Sequence, residues 1–146
     1  MNVGFLHPGL MGETLAANCS AATLWVSAGR SNETRSRAES HGMAEVASLA
    51  ELATTADAIV SICPPNAAVE LATQVAATGF SGLYVDANAI SSSTARQIGE
   101  MFDDFVDGSL IGPPAHNPGT TRMYLSGLRA SEVAGWYHDN ALDARV

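Results

Sequence analysis

The pattern with the clearest chemical potential lies in the first twelve residues of the chain. Residues 2–6 predict a buried strand, and the run His7-Pro8-Gly9-Leu10-Met11-Gly12 predicts a tight turn into an alanine-rich helix. A helix that begins just after such a strand presents unpaired amides and the positive end of its dipole to an anion. The spacing therefore predicts a turn that holds the pyrophosphate of a dinucleotide.

Four residues of this turn have specific expected parts. Gly9 lets the backbone approach the pyrophosphate, and Gly12 lets the helix pack closely on the sheet. The amides of Leu10 and Met11 donate hydrogen bonds to phosphate. On the plainer interpretation, the two glycines only shape a tight connection between strand and helix.

The turn departs from the dinucleotide fingerprint at one position. His7 stands where the first glycine of G-x-G-x-x-G is expected, and Pro8 biases His7 toward extended backbone. We expect both residues to border the cofactor. His7 then hydrogen-bonds either the cofactor or the loop after the sixth strand; in the alternative it only packs over the turn.

Basic and hydroxyl residues follow the second predicted strand, in the run Ala28-Gly29-Arg30-Ser31-Asn32-Glu33-Thr34-Arg35. An acidic residue at this strand end is typical of NAD sites, because it accepts from the ribose 2′-hydroxyl and repels a 2′-phosphate. Arg30 instead offers a planar cationic fork, Ser31 adds a hydroxyl at a helix N-terminus, and Arg35 lies one turn on. The segment predicts NADP rather than NAD, unless the arginines are surface charges and Ser31 is only a helix cap.

The elements that must position these residues alternate along the chain. Short apolar runs and longer alanine-rich segments predict an α/β fold with a doubly wound, mostly parallel sheet and helices on both faces. Ligands of such sheets lie beyond the carboxyl ends of the strands. Strands are expected at about 2–6, 23–28, 44–46, 57–63, 82–86, 105–107, 122–125 and 144–146, and helices at about 9–19, 32–41, 49–55, 66–77, 92–102 and 132–140, the fourth capped by Asn66.

Composition excludes several classes of function. A formal net charge of −8 argues against binding nucleic acid or an anionic membrane surface. No apolar run approaches the ~20 residues of a membrane span, and the absence of a basic N-terminal region predicts no signal peptide and a cytoplasmic location. The four histidines and two cysteines lack metal-ligand spacing, so we expect reduced thiols and no metal. All seven basic residues are arginines, so a mechanism that needs a lysine cannot be run by this chain alone.

Together these motifs resemble the N-terminal domain of the 3-hydroxyacid dehydrogenase superfamily, which includes 6-phosphogluconate dehydrogenase and the imine reductases. The run Gly4-Phe5-Leu6-His7-Pro8-Gly9-Leu10-Met11-Gly12 matches its G-[FL]-[IL]-G-x-G-x-M-G opening apart from His7. The stretch after the second strand resembles that of the NADP users. The resemblance covers essentially the whole chain and implies a Rossmann-type NADP-binding domain of an oxidoreductase.

The resemblance also implies parts for residues after the later strands. Cys63, Pro64 and Pro65 occupy the family loop beside the adenosine. Asn88 stands in the loop that borders the nicotinamide, and Asp107 stands where the hydroxyacid dehydrogenases place a substrate-binding serine. Asn88 and Asp107 are therefore the candidates for contact with nicotinamide or substrate. A carboxylate at position 107 would suit a cationic, amine or hydroxyl-bearing substrate, or it only caps a loop.

The resemblance implies that the family's catalytic group lies on a second, all-helical domain that also makes the dimer, and we expect residues 1–146 to form only the first domain. We expect an apolar surface left by the second domain, and self-association through it. The function expected is hydride transfer between NADP and a small hydroxyl- or imine-bearing substrate. The alternatives are a non-catalytic NADP-binding module and a methyltransferase-like α/β domain, the latter disfavoured because no acid ends the second strand.

Overall fold

The computed structural model describes residues 1–146 and contains eight strands and six helices. A 3-10 turn over Pro65–Ala67 precedes the fourth helix. The strands are β1 (Asn2–Phe5), β2 (Ala22–Val26), β3 (Ala44–Val46), β4 (Ala58–Ser61), β5 (Leu83–Asp86), β6 (Phe105–Ile111), β7 (Thr121–Ser126) and β8 (Leu142–Arg145). The helices are α1 (Leu10–Ala17), α2 (Asn32–Ser40), α3 (Leu49–Thr55), α4 (Ala68–Ala77), α5 (Ser92–Gly99) and α6 (Ala130–Gly135).

All eight strands form one sheet in the order β3-β2-β1-β4-β5-β6-β7-β8. Strands β1 to β6 run parallel, β7 is antiparallel to β6, and β8 is parallel to β7. The chain winds outward from β1 in one direction and returns to start again at β4. The gap between β1 and β4 is thus a switch point, where such sheets bind ligands. The predicted doubly wound, mostly parallel α/β fold is confirmed.

Helices cover both faces of the sheet, as predicted. On one face α1, α2 and α6 pack around Trp25, Leu15 and Trp136; on the other, α3, α4 and α5 pack around Tyr84 and Leu52. Successive residues of a strand point to opposite faces, so a strand covered on both sides is apolar throughout. Strands β4 and β5 are fully buried along their length, which matches that prediction.

Several boundaries differ from the sequence prediction. Strand β6 reaches Ile111 rather than residue 107, because Asp107–Ile111 pairs with the antiparallel β7. The fourth helix begins after the 3-10 turn and is capped by Ala67, so the expected Asn66 cap is wrong. Helix α5 ends at Gly99, and α6 is shorter and earlier than the helix expected over 132–140.

The long loop between β6 and β7 is held against α1. The Thr14 hydroxyl accepts from the Ala115 amide at 3.0 Å, and the Asn18 amide group donates to the Ala115 carbonyl at 3.0 Å. The Thr121 hydroxyl donates to the Pro113 carbonyl at 2.6 Å. These bonds fix residues 112–119 beside the helix whose N-terminus faces the switch point.

Candidate functional site

The turn from β1 into α1 leaves donors free at the switch point. Gly9 caps the helix with extended backbone and no side-chain bond. The Gly9 amide donates to the His7 carbonyl at 2.8 Å, and the Glu13 amide to the Gly9 carbonyl. The amides of Leu10, Met11 and Gly12 have no acceptor outside their own helix. Three unpaired amides and a helix dipole therefore face the end of the sheet.

The two glycines of the turn differ in what they permit. A Cβ on Gly12 would lie 2.5 Å from the His7 carbonyl oxygen, so a side chain there would push the helix away from β1. A Cβ on Gly9 would meet nothing within 4 Å, and the Gly9 φ of −75° suits any residue. The folded chain requires glycine at position 12 but not at position 9, and the space beside Gly9 is open to a ligand.

Arg30 is placed to meet an anion. Five of the seven arginines form ion pairs within the chain, and Arg30 and Arg96 do not. Arg30 and His7 line an open cleft of about 180 Å³ together with Pro8, Gly9 and Thr34. Desolvation lowers the pKa of the Arg30 guanidinium, which stays charged at neutral pH.

The structure separates the other two residues predicted around the 2′-phosphate. Ser31 caps α2, where its hydroxyl accepts from the Thr34 amide at 3.2 Å. Arg35 turns toward the outer strands, where its guanidinium pairs with Glu45 and lies 5.8 Å from the centre of the Trp25 ring. Arg35 lines neither of the clefts that His7 and Arg30 share.

His7 joins the two clefts at this edge of the sheet. It lines the polar cleft and also a second one of about 230 Å³, whose walls are mainly apolar: Leu6, Val26, Ala28, Arg30, Ser48, Leu49, Leu71 and Gln74. The Nδ1 atom of His7 is buried and has no hydrogen-bond partner. Burial, with a smaller effect of the Arg30 charge, lowers the pKa of His7 to about 4. The imidazole is therefore neutral at pH 7.

The loop after β4 is tied to the loop after β5 by Asn88. The Asn88 carbonyl oxygen accepts from the Cys63 amide at 2.6 Å, and its amide group donates to Ser61 and Asp86. Asn88 is 3% exposed, and each polar atom of its side chain is engaged within the chain. Contact between Asn88 and the nicotinamide stays a prediction; in this structure the Asn88 side chain holds the Cys63 amide.

Cys63, Pro64 and Pro65 rim the end of β4. Pro64 leads into the 3-10 turn that begins at Pro65, and both prolines are exposed. The Cys63 thiol is free and lies 3.9 Å from the Ser61 hydroxyl. Burial, as the largest effect, raises the pKa of the Cys63 thiol, so it is not an activated nucleophile.

Asp107 lies within β6, inside the strand expected over residues 105–107, and β6 continues past it to Ile111. It pairs in register with Asp86 on β5 and with Ser126 on β7. Its Oδ1 atom is buried without a partner, and burial raises the pKa of the carboxyl. Asp107 borders an open groove of about 510 Å³ between α5 and the β6–β7 pair, and His7, Gly9 and Arg30 do not line that groove.

The structure thus brings together His7, Pro8, Gly9 and Arg30, with the free amides of α1 beside them. Sequence reasoning missed Thr34 and the apolar wall made by Leu49 and Leu71. Thr34 follows the cap Ser31 by three residues, which is the spacing of a capping partner. Free donors, an unpaired cation and an orphaned imidazole nitrogen beside an apolar cleft fit a ligand that carries phosphates and an aromatic base.

Similarity to known proteins points the same way. The family model of the NAD binding domain of 6-phosphogluconate dehydrogenase matches residues 2–102, which include the turn, Arg30 and the loops after β4 and β5. No curated protein matches the sequence.

Solved structures share the fold over essentially the whole chain. The conserved protein MTH1747, of unknown function and similar to 3-hydroxyacid dehydrogenases, is 26% identical with a TM-score of 0.83; the match covers 100% of this chain and 58% of that one. The 3-hydroxyisobutyrate dehydrogenase of Mycobacterium tuberculosis is 21% identical, with a TM-score of 0.76 and coverage of 98% and 53%. An imine reductase of Myxococcus stipitatus, in complex with NAD+, is 15% identical, with a TM-score of 0.77 and coverage of 98% and 54%.

The chain therefore spans a little more than half the length of these structures. None of its helices has the length and apolar character needed to cross a bilayer. No three histidine, cysteine or acidic side chains come together as a metal site.

Proposed function

Because the chain belongs to the family of the NAD binding domain of 6-phosphogluconate dehydrogenase, we propose that it binds a nicotinamide dinucleotide and prefers NADP to NAD. The single observation that carries the NADP preference is Arg30, an arginine without an internal partner beside the turn from β1 into α1. NAD sites place a carboxylate near this point, and the β2 end of this chain has none.

The turn and the two clefts each fit one part of the proposed cofactor. The pyrophosphate lies on the free amides of Leu10, Met11 and Gly12, in the open space beside Gly9. The adenine lies in the apolar cleft of Leu49 and Leu71, with Cys63, Pro64 and Pro65 at its border.

Arg30 holds the 2′-phosphate in this proposal, with the Ser31 and Thr34 hydroxyls beside it. Arg35 joins them only by leaving its ion pair with Glu45. Because breaking the ion pair with Glu45 costs free energy, Arg35 contributes less to the binding of the phosphate than Arg30 does.

The bound nicotinamide would supply hydride chemistry toward a small hydroxyl- or imine-bearing substrate. This chain's part is to hold the dinucleotide, orient its ring and exclude water from one side. Asn88 acts through the Cys63 amide and keeps the loops after β4 and β5 in register. Asp107 is the carboxylate that would favour an amine or hydroxyl on the substrate side, since its Oδ1 atom has no partner.

Fluorescence titration with NADPH and NADH tests the cofactor proposal. We expect NADPH to bind the full chain at least about tenfold more tightly than NADH, since an arginine–phosphate pair is a strong charge-assisted contact. Arg30→Ala should strongly reduce this difference. Arg145→Ala is the matched control, because it removes the same charge at the opposite edge of the sheet. Equal binding of both cofactors by the wild type would reject the NADP preference.

A second candidate function is a non-catalytic NADP-binding module. The observation that favours it is Asn88, the residue expected beside the nicotinamide, because every polar atom of its side chain is bonded within the chain. Tight NADPH binding without oxidation in the presence of small hydroxyacids or cyclic imines supports the module. Turnover that falls in Asp107→Asn supports the enzyme.

A further inference from the structure

His7 has a feature that the fold does not explain. Its Nδ1 atom is buried without a hydrogen-bond partner, although buried polar atoms in native proteins are nearly always paired. The side chain stands at the end of β1 and lines two clefts at once, one polar and one mainly apolar. Arg30 is the only other residue that lines both.

We infer that His7 and Arg30 form a two-residue clamp for the 2′-phosphate of NADP, and that His7 takes up a proton when this phosphate binds. The inference rests on the proposed NADP binding and adds to it a second specificity-determining residue and a dependence on pH. No covalent step is involved: the imidazole gains one proton from solvent and becomes an imidazolium beside the phosphate.

The residues that line the clefts with His7 include no carboxylate that would protonate it before the phosphate binds. Arg30 is the one charged group that lines the clefts with it; the lining residues from β2, α3 and α4, including Val26, Leu49 and Gln74, are neutral. On α2, Glu33 and Arg37 pair with each other at 3.0 Å, and the buried Glu13 of α1 pairs with the same Arg37 at 3.3 Å. No carboxylate is therefore present in the clefts to hold a proton on His7 before the ligand arrives.

The free and bound states then differ in protonation. In the free chain, burial and the Arg30 charge disfavour the imidazolium and hold the pKa of His7 at about 4. A phosphate dianion beside both residues offsets the Arg30 charge and offers an acceptor, and both effects raise the pKa of His7. Below the raised pKa, binding takes up a proton, so the affinity for NADPH increases as the pH falls.

Isothermal titration calorimetry of NADPH binding measures the proton directly. At pH 7 the titration is run in buffers that differ in ionisation enthalpy, and the slope gives the protons taken up. The second pKa of the free phosphate is about 6, so the phosphate is already mostly dianionic at this pH, and any proton taken up on binding goes to the protein. We expect at least about 0.3 proton per NADPH and none for NADH, which lacks the phosphate.

Two variants locate the proton. His7→Gln should abolish the uptake and weaken NADPH binding about tenfold at pH 6 while leaving NADH binding within about twofold. His138→Gln, at an exposed histidine beyond α6, should behave as the wild type. Because the uptake is first measured on the wild type, the test does not depend on how well a variant folds.

The outcomes separate this inference from the function on which it rests. NADPH binding without proton uptake, or equal uptake by His7→Gln, would overturn the clamp and leave the NADP proposal standing. Tighter NADPH binding by His7→Gly would mean that the side chain obstructs the phosphate, which also overturns it. Failure of the wild type to bind NADPH would overturn both.

Discussion

At the scale of single residues, the two glycines of the turn carry different constraints. Gly12 is required by the fold, because any Cβ would collide with the His7 carbonyl oxygen. Gly9 is not required by any contact in the chain, and its conformation suits other residues. The open space beside Gly9 is what the proposed approach of a phosphate to its backbone would use.

Alanine at these two positions should therefore act on different quantities. Gly12→Ala should lower the free energy of unfolding by about 2 kcal/mol or more, because the turn must move. Gly9→Ala should leave it within about 0.5 kcal/mol but weaken NADPH binding by at least about tenfold, since the new methyl occupies the phosphate space. Urea unfolding and fluorescence titration measure the two effects. A Gly9→Ala protein with wild-type affinity would contradict the placement of the pyrophosphate.

The buried oxygen of Asp107 gives a prediction about pH. Burial raises the pKa of this carboxyl in the folded state, so its protonated form is the better tolerated one. Its contribution to stability is full below the unfolded pKa of about 3.9 and is lost as the pH rises through the folded value.

Asp107→Asn should therefore be more stable than the wild type at pH 7, and the difference should shrink as the pH falls through the raised folded pKa toward about 4. The midpoint of urea unfolding at both pH values measures this. A difference that stays constant with pH would mean that the charge of Asp107 is not what costs stability.

At the scale of elements, local signals in the sequence predicted most boundaries well. The helix over Leu49–Thr55 was predicted from Ser48 and Glu51, and in the structure the Ser48 hydroxyl accepts from the Glu51 amide at 3.1 Å. Signals within a few residues sufficed for this helix. Strand β6 could not be predicted to its end, because its last residues are held by β7, which lies more than ten residues further along the chain.

The candidate site was predictable only where its residues are set by local sequence. The turn and Arg30 follow directly from local sequence. The partners of Arg35 and Asn88 do not, because Glu45 and Cys63 meet them only once the strands are in register. Residue type alone predicted that both side chains contact the ligand. In the folded sheet, their polar atoms instead bond to other residues of the chain.

Asn88 should accordingly affect stability as well as binding. Asn88→Ala leaves the partly buried Cys63 amide and the buried Asp86 Oδ2 atom without partners, although Asp86 Oδ1 still accepts from the backbone amide of residue 88, and should cost about 2–3 kcal/mol of unfolding free energy. Urea unfolding in the absence of cofactor measures it. Unchanged stability together with lost NADPH binding would instead make Asn88 a direct ligand of the cofactor.

At the scale of the whole molecule, the site is divided across the sheet. The polar and apolar clefts lie at the β1–β2 side, and the groove beside Asp107 lies between α5 and the β6–β7 pair. A dinucleotide is long enough to extend from one side toward the other along the ends of the strands. Under the proposed function, the fold separates Arg30, which would select the cofactor, from Asp107, which would select the substrate.

Binding at the switch point should stabilise the entire sheet. NADPH at about 100 times its dissociation constant should add about 2.7 kcal/mol to the free energy of unfolding, which raises the thermal midpoint by roughly 5–10 °C for a domain of this size. NADH at the same concentration should raise it less. Differential scanning calorimetry with each cofactor measures the thermal midpoint. Equal increases with NADPH and NADH would argue against the role given to Arg30.

The most direct test of the account is a ¹H–¹⁵N spectrum of the chain titrated with NADPH, because it reports on the backbone amides themselves. We expect the amides of Leu10, Met11 and Gly12 to shift downfield as they bond the pyrophosphate, with further shifts around Arg30 and Thr34. Largest shifts in the groove beside Asp107, with the amides of the turn unchanged, would contradict it.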